Sequence, residues 1–384
     1  MQSVSLDLAG SRRSHPLFAR LEALGIPGNK TEHYRRFAVK PLLNAAYDLV
    51  EVHGEHAAES GAVLRIENGE VVEVPAGVSV SFADPFEADE NHFDALYFLT
   101  HLAAPKVICL EIGRDADIEI VHRFEREKAL LPYRLCVTVA PGVKAKVFES
   151  FETAGSTSSL MLYGIDARIE TEATLRWVRD QNGSASECAV IGSHRYDVAA
   201  RGALELKTFD FGSAKALHLY KIDLDEYAWC DAEHLLLASH DARRGNVVQI
   251  NHNRPYAKSA QNARNILKDE ATGIFDGLIR VGHDARYTSA HQNSKAILLG
   301  EHAFMYAKPQ LEIYTDELEA SHGSTTGELD EDALFYLRSR GIEHDEAQKM
   351  LVLAFANALI DTAGDDNIVE RIRTDFEAAY FEHA

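Results

Sequence analysis

The chain is poor in cysteine, and the few that it has are scattered along its 384 residues. They are Cys109, Cys136, Cys188 and Cys230. None of them pairs at the C-x-x-C spacing that zinc sites and redox motifs use. This pattern predicts buried, reduced thiols rather than a metal site or a disulfide framework.

Long apolar runs and excess positive charge are also missing. No run of about 18 apolar residues is present, so no membrane span is predicted. The N-terminal sequence lacks the apolar run of a signal peptide, and we therefore expect a cytoplasmic protein. With 39 basic and 60 acidic side chains, the formal charge of −21 argues against general binding to nucleic acid or anionic membranes.

The common nucleotide-binding and hydrolytic motifs do not occur in the sequence. Residues 323–327 are bounded by glycines, but no Lys-Ser or Lys-Thr follows, so they do not form a Walker A loop. The patterns G-x-G-x-x-G, G-x-S-x-G and H-E-x-x-H are absent as well. No spacing singles out an acid/base pair of carboxylates. The sequence therefore predicts no independent enzyme.

Strand-like alternation of apolar and polar residues dominates from about Lys106 to Tyr314. Segments such as KVICLEI, RLCVTVA and ALELKTFDF are separated by short turns rich in Gly, Asp, Asn and Ala. The lack of helical spacers excludes a βαβ sheet and leaves a sandwich, a barrel or a solenoid. Roughly 200 residues of strand is long for one sandwich. We therefore favour a mainly β fold, with a parallel β-helix (a solenoid) over residues 105–319.

Helical patterns flank this β region on both sides. Residues 1–104 are expected to be mixed and mostly helical, although Asn68-Gly69 between two alternating runs is a strong hairpin signal. Residues 320–384 are expected to form a helical domain, whose first helix has Asp330 as N-cap and Gly341 after its last turn. A second helix at 344–362 is expected to carry an apolar stripe of Ala347, Leu351, Phe355 and Ala358, with Leu359 beside it.

A lone histidine, His322, lies where the β region gives way to the helical tail. Small residues surround it in the run ASHGSTTG (320–327), which predicts an irregular backbone rather than a routine core position. Neutral imidazole is a suitable ligand for iron. No two histidines of the second half have the i, i+4 spacing of a helical metal site, so a structural or surface role is the alternative for each.

Several segments of the second half carry a family pattern. They are HNRPYAKSAQNARNIL (252–267), GIFDGLIRVGHDARYTSAHQNSKAILLG (273–300), PQLEI (309–313) and ASHGSTTGELDEDALFYLRSRGI (320–342). Near the N-terminus, KTEHYRRF (30–37) adds a Glu-aromatic-Arg-aromatic signature. In these residues the chain resembles the SufB/SufD family of iron–sulfur cluster assembly scaffolds, and more closely its SufD type.

The resemblance implies a fold and a set of partners. The fold would be an N-terminal helical region, a right-handed parallel β-helix and a C-terminal helical domain. The subunit would pair with a SufB-type paralogue through the β-helix and bind a SufC-type ATPase through the C-terminal helices. The complex would receive sulfur from a cysteine desulfurase system and build a transient Fe–S cluster, which this chain alone would not hold stably. The ATPase would supply ATP hydrolysis, in keeping with the missing phosphate loop.

The resemblance also implies two sites. The histidine of the family's Ser-His-Gly motif lies at the heterodimer interface and carries over to His322, as a metal ligand in a shared site. The helix at 331–340 would dock the ATPase, with Phe335, Leu337 and Arg338 as the contact residues. The alternative is that Phe335 and Leu337 are core residues of the tail.

The chain departs from the family pattern in its thiols. Family members commonly have a cysteine two residues before the motif histidine, where this chain has Ala320. SufB-type chains have a cysteine in the preceding strand region, where this chain reads QNSK (292–295), and a glutamate after the histidine, where it has Gly323. These differences favour the SufD type and imply that the partner supplies the thiolates that normally hold such clusters.

Two alternatives stay open. Because paralogues share the pairing surface, this chain in isolation is also compatible with a homodimer. A β-helix enzyme acting on polysaccharide is a different use of the fold, and it would require secretion and a carboxylate-lined groove with exposed aromatics.

Overall fold

The structure is a computed structural model that describes residues 14–28, 30–53, 58–59, 61–83, 88–104, 106–153, 155–183 and 187–381. Strands predominate in these ranges, so the mainly β fold predicted from the sequence is confirmed. Helices lie on both sides of a parallel β-solenoid. Within the described residues, no helix is long and apolar enough to cross a membrane.

The N-terminal region combines helices with short strands. Its helices are α1 (Pro16–Leu24), a 3₁₀ turn (Glu32–Tyr34), α2 (Val39–Asn44) and α3 (Ala95–Ala103). Its strands are β1 (Asp48–Leu49), β2 (Ala58–Glu59), β3 (Val63–Glu67), β4 (Glu70–Val74) and β5 (Ser79–Ala83). The hairpin predicted at Asn68-Gly69 is confirmed, because β3 and β4 pair antiparallel across it and both turn residues have positive φ, 49° and 87°. Helices and strands thus share this region, which was expected to be mostly helical.

Longer strands follow and form the solenoid. They are β6 (Val107–Ile112), β7 (Ala116–Arg123), β8 (Ala129–Val139), β9 (Lys144–Glu152), β10 (Leu160–Ile169), β11 (Thr174–Gly183), β12 (Ala189–Val198), β13 (Ala203–Gly212), β14 (Ala216–Leu224), β15 (Trp229–Ala238), β16 (Arg243–His252), β17 (Lys258–Leu267), β18 (Thr272–Val281), β19 (Thr288–Leu298), β20 (Phe304–Ile313) and β21 (Leu318–Gly327).

Successive solenoid strands alternate between two sheets. Sheet A has the order β20-β18-β16-β14-β12-β10-β8-β6-β5, and sheet B has the order β21-β19-β17-β15-β13-β11-β9-β7-β3-β4-β2. From β6 onward all pairs within a sheet are parallel, so each coil adds one strand to each sheet. This order is that of a solenoid, and it excludes the antiparallel sandwich and the barrel among the three alternatives.

Strand alternation directs every second side chain into the lumen between the sheets. In-register pairing stacks equivalent residues of neighbouring coils, such as Leu204 and Cys230 of sheet B. Both are fully buried, as are Ile222 and Ile250 of sheet A. All four cysteines are described and none forms a disulfide. Cys188 and Cys230 are buried, as expected, whereas Cys109 and Cys136 are only partly covered.

At one corner of the solenoid, four successive coils place a non-glycine residue in the left-handed conformation. Arg201, Tyr227, Tyr256 and Tyr287 have φ of 56°, 56°, 64° and 59°. The three tyrosine rings stack, with centroid distances of 4.7 Å and 5.0 Å. Stacking of this kind offsets part of the backbone strain of the left-handed turns.

The tail forms three helices, α4 (Glu331–Ser339), α5 (His344–Ile360) and α6 (Asp366–Phe381). Asp330 is the N-cap of α4, as predicted, since its carboxylate accepts a hydrogen bond from the Ala333 amide at 2.9 Å. Helices α5 and α6 pack on sheet B, where the ring of Phe376 meets that of Phe211 at 5.3 Å.

The buried stripe of α5 differs from the one expected. Ala347 is buried as predicted, but Ala358 is exposed and Leu351 and Phe355 are only partly covered. Leu359 is buried as predicted, and Val352, Ala356 and Ile360 are buried in addition. The helix contacts both the solenoid and α6, so its buried face is rotated relative to the stripe that a single contact surface would give.

The segment around His322 is also different from expectation. The run of small residues forms the regular strand β21 rather than an irregular joint. The boundary expected between 319 and 320 therefore falls inside a strand, and the β structure continues to Gly327.

Candidate functional site

The solenoid is open at its C-terminal end. Strand β20 ends sheet A and strand β21 ends sheet B, and each is ten residues long. In the part of the chain that the structure describes, no further strand pairs with their outer edges. Unpaired edges of this length are templates for pairing with another chain. We call this end, with its two edge strands, the mouth.

His322 lies at the centre of β21 and belongs to the face that lines the lumen. It pairs in register with Gln292 of β19, which in turn pairs with Gln261 of β17. Both glutamines are buried in the lumen, at 3% and 1% exposure, whereas His322 on the last coil is exposed. The imidazole is therefore the outermost member of a lumenal column and is accessible at the mouth.

A hydrogen-bonded pair of amides lies directly behind His322. Gln292 Nε2 donates to Gln261 Oε1 at 2.6 Å. Gln292 Oε1 and Gln261 Nε2 are buried without a hydrogen-bond partner among the described residues. Gly277, on the facing sheet, makes room for the amide, because a Cβ there would lie 2.0 Å from Gln292 Nε2.

Thiols are missing from the mouth. Ala320 lies on the lumenal face two residues before His322 and brings no thiol to this end. No group of three or more His, Cys, Asp or Glu side chains in the described ranges is arranged to hold a metal ion. This chain alone thus offers one imidazole at the mouth rather than a complete ligand set.

The N-terminal signature segment lies across the outer face of sheet A close to the mouth. Glu32 forms an ion pair with Lys308 of β20, and His33 Nδ1 lies 3.2 Å from Asp276 Oδ2 of β18. The Arg36 guanidinium stacks over the Tyr306 ring at 4.1 Å. The segment therefore links the N-terminal region to the last strand of sheet A.

The predicted docking helix α4 is the most exposed helix of the tail. All its residues are described and none is buried. Phe335 is 73% exposed and Tyr336 is 56% exposed. Arg338 is exposed and Leu337 is partly covered. The alternative that Phe335 is a core residue is wrong, because its ring is exposed to solvent.

A buried polar cluster deep in the lumen was not anticipated from the sequence. Glu149 is fully buried, accepts a hydrogen bond from Trp177 Nε1 at 2.8 Å and lies 2.9 Å from His122 Nε2. Burial acts to raise the pKa of Glu149, but the hydrogen bond and charge of His122 outweigh it, and the pKa is lowered. Nearer the mouth, burial lowers the pKa of His194 and His218, so both rings are neutral at pH 7.

One signal in the sequence marks this cluster. Glu149 lies on the same face of β9 as Val147 and Phe151, which are core residues. A charged residue on the core-facing side of a predicted strand is either buried with a partner, or it indicates that the strand prediction is wrong.

The fold and its mouth define a class of protein, a β-solenoid with an exposed pairing end and a helical tail. Comparison with known proteins identifies a family for this chain. Residues 122–355 match the family model described as SUF system FeS cluster assembly, SufBD core domain. The iron–sulfur cluster assembly protein SufD of Escherichia coli (strain K12) is 37% identical over 398 residues, covering 95% of this chain and 93% of that protein.

Two relatives that match over shorter segments carry names from the same assembly system. An iron–sulfur cluster assembly SufBD family protein of Synechocystis sp. is 32% identical over 128 residues, 33% of this chain and 28% of that protein. The SufD of Bacillus subtilis (strain 168) is 34% identical over 96 residues, 25% of this chain and 22% of that protein. The chain belongs to the SufBD family and is a SufD-type subunit of the SUF system for iron–sulfur cluster assembly. The names of these relatives point to an assembly protein of the scaffold type.

Proposed function

We propose that the chain is a scaffold subunit that pairs with a SufB-type paralogue and a SufC-type ATPase to build and transfer Fe–S clusters. The observation that carries this proposal is the mouth, where two unpaired edge strands surround an accessible histidine. A free strand edge satisfies its backbone groups by pairing with another chain. A partner seated there would cover His322 and form a shared site.

The cluster is cargo in this scheme, and the chain supplies one ligand to it. Iron–sulfur clusters are held mainly by thiolates. His322 would offer the lone pair of a neutral ring nitrogen, and the partner would offer the thiolates. Sulfur would arrive through the complex from a cysteine desulfurase system. The single imidazole at the mouth supports transient sharing rather than stable binding by this chain alone.

The helical tail is proposed to dock the ATPase. Helix α4 presents Phe335 to solvent, flanked by Leu337 and Arg338. Exposed aromatic and arginine side chains are the residues most enriched at the centres of protein interfaces. Hydrolysis of ATP would take place on that partner, because this sequence has no phosphate-binding loop.

The test is co-expression of the chain with a SufB-type and a SufC-type protein. We expect a ternary complex on size exclusion, and His322→Ala should leave it intact while lowering cluster assembly at least about ten-fold. His302→Ala is the matched control, since His302 is an exposed histidine in the turn before β20. Full cluster assembly by His322→Ala would remove His322 from the proposed site.

A homodimer is the second candidate, because the same edge strands are available to a second copy. The mass of the isolated chain separates the two: a homodimer has twice the 42.6 kDa of the monomer. If a SufB-type partner fails to displace the second copy, the homodimer replaces the heterodimer in the proposal.

A further inference from the structure

We propose that Gln292 positions the imidazole of His322 by accepting its ring N–H, which leaves the other ring nitrogen directed out of the mouth. This inference rests on the proposed function of His322 as a ligand. A neutral imidazole has one N–H donor and one lone pair, and a hydrogen bond to one nitrogen decides which of the two is free. Ligating histidines commonly donate their second nitrogen to such an acceptor.

The arrangement of the amide carries the inference. Gln292 uses its nitrogen as a donor to Gln261 on the coil below. Its oxygen is buried and makes no hydrogen bond to His322 or to any other described residue in this structure, so it is an acceptor that is available for a donor from the coil above. The register partner of Gln292 on that coil is His322. Neighbouring strands are about 4.8 Å apart, within the reach of a glutamine and a histidine side chain.

Burying the Gln292 amide in the lumen destabilises the fold, because its oxygen has no hydrogen-bond partner in the described part of the chain. A buried amide oxygen without a partner destabilises the fold relative to one that accepts a hydrogen bond. The residue that faces Gln292 across the lumen is Gly277. Because glycine has no Cβ, it leaves space for the amide nitrogen of Gln292. An apolar residue would fill the same lumenal position without leaving a polar atom unpaired. The glutamine is thus better explained by a role toward His322.

The first test measures the ring tautomer in the full chain without partners. The chain has 18 histidines, so ¹⁵N-histidine labelling with long-range ¹H–¹⁵N spectra needs His322→Gln to assign the signal. We expect one dominant tautomer in the native chain, a mixed population in Gln292→Met, and restoration by Gln292→Glu, which keeps an acceptor. Ser294→Ala is the control, since Ser294 faces the same lumen with an unpartnered hydroxyl but pairs with Ser324. An unchanged tautomer ratio in Gln292→Met overturns the proposal.

The second test uses the complex and separates positioning from folding. Gln292→Met should lower cluster assembly about ten-fold, and it should add no further loss when His322 is already replaced by Gln. Losses that multiply would show a purely structural role and overturn the proposal. If His322→Gln alone assembles clusters normally, the cluster role of His322 fails, while the tautomer measurement still decides whether Gln292 holds the ring.

Discussion

Replacing Phe335 by alanine tests the docking role of α4 most directly. Because 73% of this side chain is exposed in the free chain, its truncation removes little native packing. Exposed substitutions of this kind usually change stability by less than about 0.5 kcal/mol. The melting temperature of the isolated chain should therefore remain the same, in contrast to a core phenylalanine, whose loss costs about 3–5 kcal/mol.

The effect on ATPase binding follows from the area that a partner would cover. A phenylalanine buries roughly 150–250 Å² when fully covered. With about three quarters of it still exposed, a partner that covers the ring removes on the order of 150 Å² from water, worth about 3 kcal/mol after allowing for the retained Cβ. Each 1.4 kcal/mol is about ten-fold in affinity, so the dissociation constant should rise roughly a hundred-fold.

Titration calorimetry or interferometry with the SufC-type ATPase provides the measurement. Leu24→Ala is the matched control, since Leu24 is 48% exposed but belongs to α1, which packs on the side of sheet A. Unchanged affinity of Phe335→Ala, with Leu24→Ala also unchanged, would refute α4 as the docking helix. Equal losses in both variants would point to a general effect of surface truncation.

Much of the fold was predictable because local signals and tertiary structure agree in it. The hairpin at Asn68-Gly69 needs two residues with positive φ, and that dipeptide tolerates them. Asp330 caps α4 with its own carboxylate, which is a local interaction. Strand alternation over the solenoid follows from the buried lumen.

The last strand of the solenoid could not be predicted in the same way. Apolar alternation marks a strand because one of its faces is buried. Among the described residues no further coil follows β21, and Thr326 on its lumenal face is exposed, so this residue can be polar at the position where the preceding coil has the buried Ala296. The sequence therefore shows no alternation at the strand that carries His322. The position of the two buried glutamines behind His322 depends on the register between strands, and a single sequence does not show that register.

Two further predictions concern stability. Burial and a hydrogen bond shared with Asp375 raise the pKa of Asp180 well above its ordinary 3.8, so the folded chain retains a proton that the unfolded chain releases as pH rises. Asp180→Asn should thus raise the melting temperature at pH 7, and the gain should vanish below about pH 4; an equal gain at every pH would contradict this. Gly277→Ala forces the Gln292 amide to move and should cost about 1–3 kcal/mol in urea unfolding, whereas Gly113→Ala, with open space around it, should be neutral.

In the proposed shared site, the residue at position 320 determines which chain can supply a thiolate at the mouth. Residues 320 and 322 lie on the same lumenal face, about 7 Å apart along the strand, so a cysteine at 320 would stand beside the histidine. The column behind Ala320 runs through Ala290 and Ser259 to Cys230. That thiol lies three coils below, about 14 Å away, and burial raises its pKa, which keeps it protonated. Under the proposed function, a thiolate at the mouth would then have to come from another chain, and pairing would be a condition for cluster binding rather than an accessory to it.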